Sequence, residues 1–329
     1  MTKFRSMFAA ALACSALVTT QASLAADFKF KLASVSQPSN PLTAGLNMFA
    51  KEVAEKSGSR IEVVVYHSAQ LGGERDYVEG MQLGSVEMAI TSTPVLTAWE
   101  PRLGIFSLPF LIKSGDQLDK VLDGPTGLEL AGRFGGFKVR LLGWFDWGPR
   151  VMHNSKRPVL TPADTKGLKF RTVQDPIYVA AYEALGASAV PMARPEVYSA
   201  LKQGVIDGTD TDMTNYEDQG DYEVAKYTTI NVELFQTVGP LMISEAVFSK
   251  LPPDLQKVLV DAARDVAPKQ RAAIRDAEAA ATERLQKKGV VISKTDPKPF
   301  MDATAKIWDR FAAQVGGKAA IDAVANAGP

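Results

Sequence analysis

The chain has 329 residues, enough for two domains with substantial cores. Its 37 basic and 37 acidic residues balance, so nothing in the net charge calls for nucleic acid or another polyanion. One cysteine, Cys14, and two histidines, His67 and His153, supply neither a disulfide framework nor the three good ligands of a catalytic zinc.

Lys3 and Arg5, an apolar run from Met7 to Val18 and then small residues read as a secretory signal peptide spanning 1–25. Ser23-Leu24-Ala25 sets small side chains at the −3 and −1 positions, placing cleavage after Ala25, with Ala26 the close alternative. The mature chain would carry 35 basic and 37 acidic residues and no cysteine. Acylation at Cys14 is the rival reading, but the leucine of Ala11-Leu12-Ala13 falls one place late for a lipobox. No later segment reaches about 18 uninterrupted apolar residues. A soluble exported chain without direct membrane insertion is expected.

Phe28 to Ser34 alternates as a half-buried strand, and Leu42 to Lys56 carries a helical apolar stripe through Leu42, Leu46, Phe49 and Val53. Ile61 to Tyr66 is a β-branched strand, Glu74 to Leu83 a helix and Glu87 to Thr91 a strand. This β-α-β-α-β order argues for a parallel sheet covered by helices. Further strands are expected at Lys138–Leu142, Val151–His153, Leu168–Arg171 and Val205–Asp207, with helices near Ile177–Leu185 and Pro195–Gln203. Gly148-Pro149 and the Gln236–Pro240 region are candidate crossings between two lobes. From Asp254 to about Lys288 the composition is helical, and Pro268 should kink or divide that helix.

Leu168-Lys169-Phe170 alternates and delivers Arg171 to a strand end, where α/β folds bind ligands. A planar guanidinium there suits a carboxylate held by two parallel hydrogen bonds; a surface salt bridge would use the same residue. No H-E-x-x-H cluster, G-x-S-x-G elbow, P-loop or G-x-G-x-x-G turn occurs, so no cofactor, no metal and no enzyme are expected.

The block from Gly167 to Gly208, with Gly167-Leu168-Lys169-Phe170-Arg171 and Ala200-Leu201-Lys202-Gln203-Gly204-Val205-Ile206-Asp207-Gly208, resembles the DctP-type solute-binding proteins of tripartite ATP-independent periplasmic (TRAP) transporters. Gln70-Leu71-Gly72-Gly73-Glu74-Arg75, Gly84-Ser85-Val86-Glu87-Met88, Ser107-Leu108-Pro109-Phe110, Pro191-Met192-Ala193, Glu196-Val197-Tyr198 and Leu251-Pro252-Pro253-Asp254-Leu255-Gln256 follow in the family's order. The resemblance implies an α/β, two-lobed periplasmic-binding-protein fold, each lobe a mostly parallel sheet flanked by helices, with one long C-terminal helix spanning both. The expected division is 26–147 plus 237–276 for lobe I and 148–236 plus 277–329 for lobe II.

It further implies periplasmic capture of a small carboxylate, sugar acids or hydroxy acids ahead of four-carbon dicarboxylates, and delivery to membrane permease subunits. Arg171 and Arg150 match the arginines that relatives present to ligand. Arg194 departs from the commoner pattern and would favour a hydroxyl-rich or second anionic group. Ser92 and Thr211 match polar contact positions. Glu74, Asp210, Asp212, Gln37 and Asn40 are candidate acceptors, although Glu74 at a helix start also suits the helix dipole. Trp144 and Trp147 read as hinge packing, one of which could wall the pocket. Two other readings stay open: a receptor for an ATP-driven importer or sensor kinase, and a periplasmic sugar-acid enzyme using Asp210, Asp212 or Glu74 as base.

Overall fold

The structure, a computed structural model, describes residues 26–328. The expected signal peptide, 1–25, and with it Cys14, lies outside that range. Ten strands form one network: β1 (Phe28–Ala33), β2 (Ile61–Tyr66), β3 (Met88–Ile90), β4 (Val139–Asn154), β5 (Lys169–Thr172), β6 (Ser188–Pro191), β7 (Gly208–Thr211), β8 (Tyr227–Ile230), β9 (Phe235–Ser244) and β10 (Val291–Lys294).

The first lobe's sheet runs β2-β1-β3-β9-β4 and the second's β6-β5-β7-β4-β8-β10. Within each, β1–β3 and β5–β7 pair in parallel, whereas β9 pairs antiparallel with β3 and β4, and β4 with β7 and β8. Strand β4 therefore belongs to both sheets. The strands expected separately at Lys138–Leu142 and Val151–His153 are its two ends. Register shifts at Leu141/Gly143 and Asp146/Gly148 absorb the residues between them. Gly148 sits at φ +102°, and a Cβ there would stand 3.1 Å from Cβ of Asp212. The glycine is required both for its backbone angle and for that close approach.

The strand expected at Val205–Asp207 falls three residues later, at Gly208–Thr211. Gly208 lies so close to β4 that a Cβ would meet the His153 carbonyl at 2.5 Å. Asp207 instead takes the Lys169 backbone N–H on its side chain, at 2.9 Å. The apolar pair Val205-Ile206 ends the preceding turn, and the ladder is formed by polar residues that are all buried.

The helix Pro41–Lys56 is capped by the Asn40 side chain, which accepts from Leu42 N at 2.9 Å, and buries Leu42, Leu46, Phe49 and Val53. The helix Pro253–Lys287 runs 35 residues without a break at Pro268. Pro268 and Arg264, whose carbonyl loses its partner, are both exposed, so water can serve that carbonyl. Leu255 to Ala267 of this helix pack in the first lobe's core, while Ala281 and Leu285 join Val151, Met213 and Tyr216 of the second. Gln270 clamps the crossing strand: its amide donates to Asp146 O at 2.7 Å and accepts from Asp146 N at 2.8 Å. Ile307, Phe311, Val315, Ile321 and Val324 share the first lobe's cluster, although the sequence reading put 277–329 with the second. Two amphipathic helices, Lys306–Val315 and Lys318–Ala325, return the chain end to that core.

His153 ties three elements of the second lobe together. Its Nε2 donates to Thr211 O at 3.1 Å, its Nδ1 accepts from the Thr228 hydroxyl at 2.9 Å, and its ring stacks on Tyr216 at 3.7 Å. The ring is neutral, and burial, helped by the positive charges of Arg150 and Arg194, pushes its pKa down to about 3. The unfolded chain binds a proton here below about pH 6.5 and the folded chain does not. Stability is thus present above that pH and is lost on acidification, at about 1.4 kcal/mol per pH unit, until about pH 3. His153→Gln keeps one donor and one acceptor but cannot titrate. Urea unfolding should show the gap between wild type and variant narrowing by about 2 kcal/mol from pH 7 to roughly pH 5. A gap independent of pH would contradict the neutral buried ring.

A buried cavity with three guanidinium groups between the lobes

A small cavity lies between the lobes, lined by Val35, Glu74, Ser92, Trp147, Arg150, Arg171, Val173, Arg194, Thr211 and Asn215. Four of these follow or end parallel strands at their carboxyl ends: Val35 after β1, Ser92 after β3, Val173 after β5 and Thr211 at the end of β7. Strand order thus explains why residues far apart in sequence converge, since parallel strands open their loops to the same edge. A second hollow of about 260 Å³ shares Glu74, Arg171, Val173 and Arg194 and extends past Arg75, Gln174 and Glu196.

The three arginines differ in how they are held. Arg150, 5 % exposed, forks onto Asp210: Nε to Oδ2 at 3.0 Å and Nη2 to Oδ1 at 3.2 Å, with Nη2 also donating to the Asp210 carbonyl. Its Nη1 reaches Thr237 Oγ1 at 3.5 Å, and the guanidinium lies over the Tyr178 ring. Burial works against its charge, but the field and hydrogen bond of Asp210, with Tyr178 and Asp212, together outweigh burial and raise its pKa. Arg194 donates Nη2 to Asp221 Oδ2 at 2.6 Å, while its buried Nε and Nη1 have no partner.

Arg171, 3 % exposed, has no carboxylate partner among the described residues. Its Nε and Nη2 both donate to Met192 O, at 2.9 and 2.7 Å. Burial first, then the neighbouring charges of Arg150 and Arg194, push its pKa down to about 9. It remains the cation at neutral pH, and it is the positive group in the cavity whose charge is least compensated.

Glu74 opens the helix Glu74–Leu83, but Asp76 performs the capping there, its Oδ2 accepting from Gly73 N at 2.7 Å. Glu74 is free to reach across the lobe and accept from Ser92 N. Burial raises its pKa, with the Ser92 bond and the charges of Arg171 and Arg150 opposing. The Ser92 hydroxyl is buried without a partner. Thr211 Oγ1 donates to Asp212 Oδ2 at 3.2 Å.

Six of the residues singled out from sequence therefore line one cavity: Glu74, Ser92, Arg150, Arg171, Arg194 and Thr211. Four do not. Asp210 is consumed by its ion pair with Arg150. Asp212 caps the helix Met213–Asp218, accepting from Asn215 N and Thr214 Oγ1 at 2.8 and 2.6 Å and from the Asn215 amide at 2.8 Å. Neither aspartate is placed to act as a base on a cavity ligand. Gln37 and Asn40 bridge the lobes at the rim: Gln37 Nε2 donates to Gln219 Oε1 at 3.2 Å, and Asn40 Nδ2 to Asp218 Oδ2 at 3.1 Å. Ser39 Oγ adds a bond to Asp218 Oδ1 at 2.9 Å, and Arg75 Nε one to Gln174 at 2.9 Å.

Sequence reasoning left out Val35, Val173 and Asn215. The two valines carry no chemical signal. Asn215 could have been found from Asp212, because an Asp N-cap places its third following residue at the same helix end. Of the two tryptophans, Trp147 walls the cavity, while Trp144 packs against Phe106 and Phe134. No group of three or more His, Cys, Asp or Glu among the described residues is arranged to hold a metal. No helix among them is long and apolar enough to cross a membrane.

Comparison with known proteins agrees with this geometry. A solute-binding protein of Verminephrobacter eiseniae is 37 % identical over 283 residues, 86 % of this chain and 84 % of its own. A TRAP periplasmic solute-binding protein of Chromohalobacter salexigens, solved with bound D-glucuronate, superposes with a TM-score of 0.86 at 32 % identity, covering 91 % of this chain and 99 % of that one. Another from Polaromonas, bound to D-erythronate, gives a TM-score of 0.89 at 30 % identity, covering 92 % and 99 %. Residues 32–314 match the model of the bacterial extracellular solute-binding proteins, family 7, and the chain belongs to that family, DctP.

Proposed function

We propose that the chain captures a small organic acid in the bacterial periplasm, with sugar acids and hydroxy acids favoured, and delivers it to the membrane permease subunits of a TRAP transporter. The observation that carries this is Arg171, a guanidinium buried in an interlobe cavity with no carboxylate partner. A ligand carboxylate would supply the missing charge through a geometry that Arg matches better than Lys. The hydroxyl preference rests on the unpartnered Ser92 Oγ and Arg194 Nε and Nη1, which a ligand rich in hydroxyls can satisfy. D-Glucuronate and D-erythronate in the two relatives are acids of this kind.

Capture would proceed by closure of two lobes, residues 26–147 with 237–276 against 148–236 with the segment that follows 277, the last helices riding on the first lobe. β4, β9 and the long helix provide the crossings. Closure excludes water and strengthens the ion pair at Arg171, while the rim bonds hold the closed state.

Arg171→Ala should abolish the ligand-induced rise in melting temperature across a panel of D-glucuronate, D-galacturonate, galactonate and D-erythronate. A lost buried charge partner costs about 2–5 kcal/mol, at least about thirtyfold in Kd. The unliganded protein should melt near the wild-type temperature, because the side chain removed is an uncompensated charge. Normal binding by the variant would remove Arg171 from the anchor role.

Asp218→Ala deletes two rim bonds without touching the cavity lining. It should weaken binding about fivefold to tenfold, chiefly through faster dissociation, since only the closed state is affected. Stopped-flow fluorescence would separate the rates, and an unchanged dissociation rate would show that the rim does not hold the lobes shut.

A further inference from the structure

The charges around the cavity balance before any ligand arrives. Arg150 is matched by Asp210 and Arg194 by Asp221. That leaves Arg171 and Glu74, which face the same cavity and are joined by no direct ion pair among the described residues. Seating one carboxylate on Arg171 would leave the closed cleft with a net negative charge. Enclosing a net charge away from water costs several kcal/mol, and a group able to change protonation relieves it.

The titratable groups that could respond can be compared one by one. Asp210 is held by a bidentate guanidinium, and Asp221 by Arg194 at 2.6 Å, so both carboxylates are already engaged. On the helix that carries Glu74, Asp76 is exposed and serves as a cap, Tyr77 is a phenol pushed further up by burial and by the charges of Glu74 and Asp76, and Arg75 is engaged with Gln174. Arg171 could gain a proton only in alkaline solution, since its pKa lies at about 9. Glu74 differs from all of these. No guanidinium bonds it, a single backbone N–H from Ser92 reaches Oε1, and the charge that opposes its protonation most is that of Arg171.

Resting on the reading that Arg171 seats a carboxylate, we infer that closure on a monocarboxylate is coupled to uptake of one proton from solvent by Glu74. The ligand carboxylate cancels the field of Arg171, which opposes protonation of Glu74. The proton goes to Oε2, because Oε1 holds the Ser92 N–H. Glu74 then changes from an acceptor into a donor toward a ligand hydroxyl, and the cleft returns to neutrality. A dianionic acid would need a second proton that no other group in the cavity can hold, so the same arrangement discriminates in favour of single negative charge. Burial raises the Glu74 pKa, which is the direction that favours the uptake.

Calorimetric titration of the wild-type protein with D-glucuronate, D-galacturonate and D-erythronate, in phosphate and in imidazole buffer between about pH 5.5 and 7.5, counts the protons directly. The expected result is uptake of up to about one proton per ligand, with Kd rising by up to about tenfold per pH unit across the window. Glu74→Gln should bind with no proton uptake and a flat pH profile, whatever its affinity, and Glu74→Asp should restore uptake. Wild-type binding whose enthalpy is the same in both buffers overturns the inference and leaves the capture function standing. Uptake that persists in Glu74→Gln overturns the assignment to Glu74. Failure of every acid to bind wild type overturns the reading of Arg171 and the inference with it.

Discussion

A buried guanidinium without a counter-carboxylate is the constraint around which this molecule is arranged. Taking a cation out of water is costly, and protein interiors normally neutralise it with a nearby carboxylate. Around this cavity two arginines are neutralised in that way and the third is not. Arg171 has only the Met192 carbonyl, a dipole where a charge would serve better. The chain could have placed an acid there, as it does with Asp210 and Asp221. Glu74 faces the same cavity but makes no ion pair with Arg171, so the fork stays without a direct partner, and on the proposed capture function a ligand carboxylate would take that place.

That arrangement depends on how the two sheets are joined. Parallel strands in both lobes point their carboxyl ends at the gap, so each lobe supplies a loop edge to the cavity. The joining elements are stiff: a 16-residue strand, a ten-residue strand and a 35-residue helix. Gln270 holds the helix to β4, and Glu278, further along the same helix, accepts the backbone N–H groups of Met213 and Thr214 at 2.8 and 2.9 Å. The helix bearing Asn215 is thereby referenced to the same crossing element as Arg150.

Much of this was legible in the sequence, and what was not shares one cause. The early strands and helices fell where alternation and helical stripes put them, because each buries one face. The position of Arg171 followed from a short alternating run. β7 was misplaced because its residues, Gly208-Thr209-Asp210-Thr211, are polar yet buried, and apolar patterning cannot report such a strand. Asp210 read as a hydroxyl acceptor because its partner, Arg150, is 60 positions away. Gln37 and Asn40 read as ligand contacts for the same reason: their partners Gln219 and Asp218 lie about 180 positions on. Spacing locates polar groups on an edge, but only the fold decides which of them are already spent on each other.

The division between spent and unspent bonds also separates the roles of the three arginines. Arg150 spends Nε and Nη2 on Asp210 and one Nη1 N–H on Thr237, so its charge is matched and most of its fork is already engaged. Arg171 contributes charge, its carbonyl contacts leaving the ion unneutralised. Arg194 has surrendered its charge to Asp221 but keeps Nε and Nη1 unused. A neutralised guanidinium with free donors reads hydroxyl geometry better than it attracts anions, because its remaining value lies in direction and not in net charge. Discrimination among acids of equal charge should therefore reside in Arg194, together with the Ser92 hydroxyl and the Asn215 amide. The sequence put Arg171 ahead of Arg150 and Arg194, and on the proposed capture function the pattern of their partners would make Arg171 the anchor and Arg194 the reader of hydroxyls.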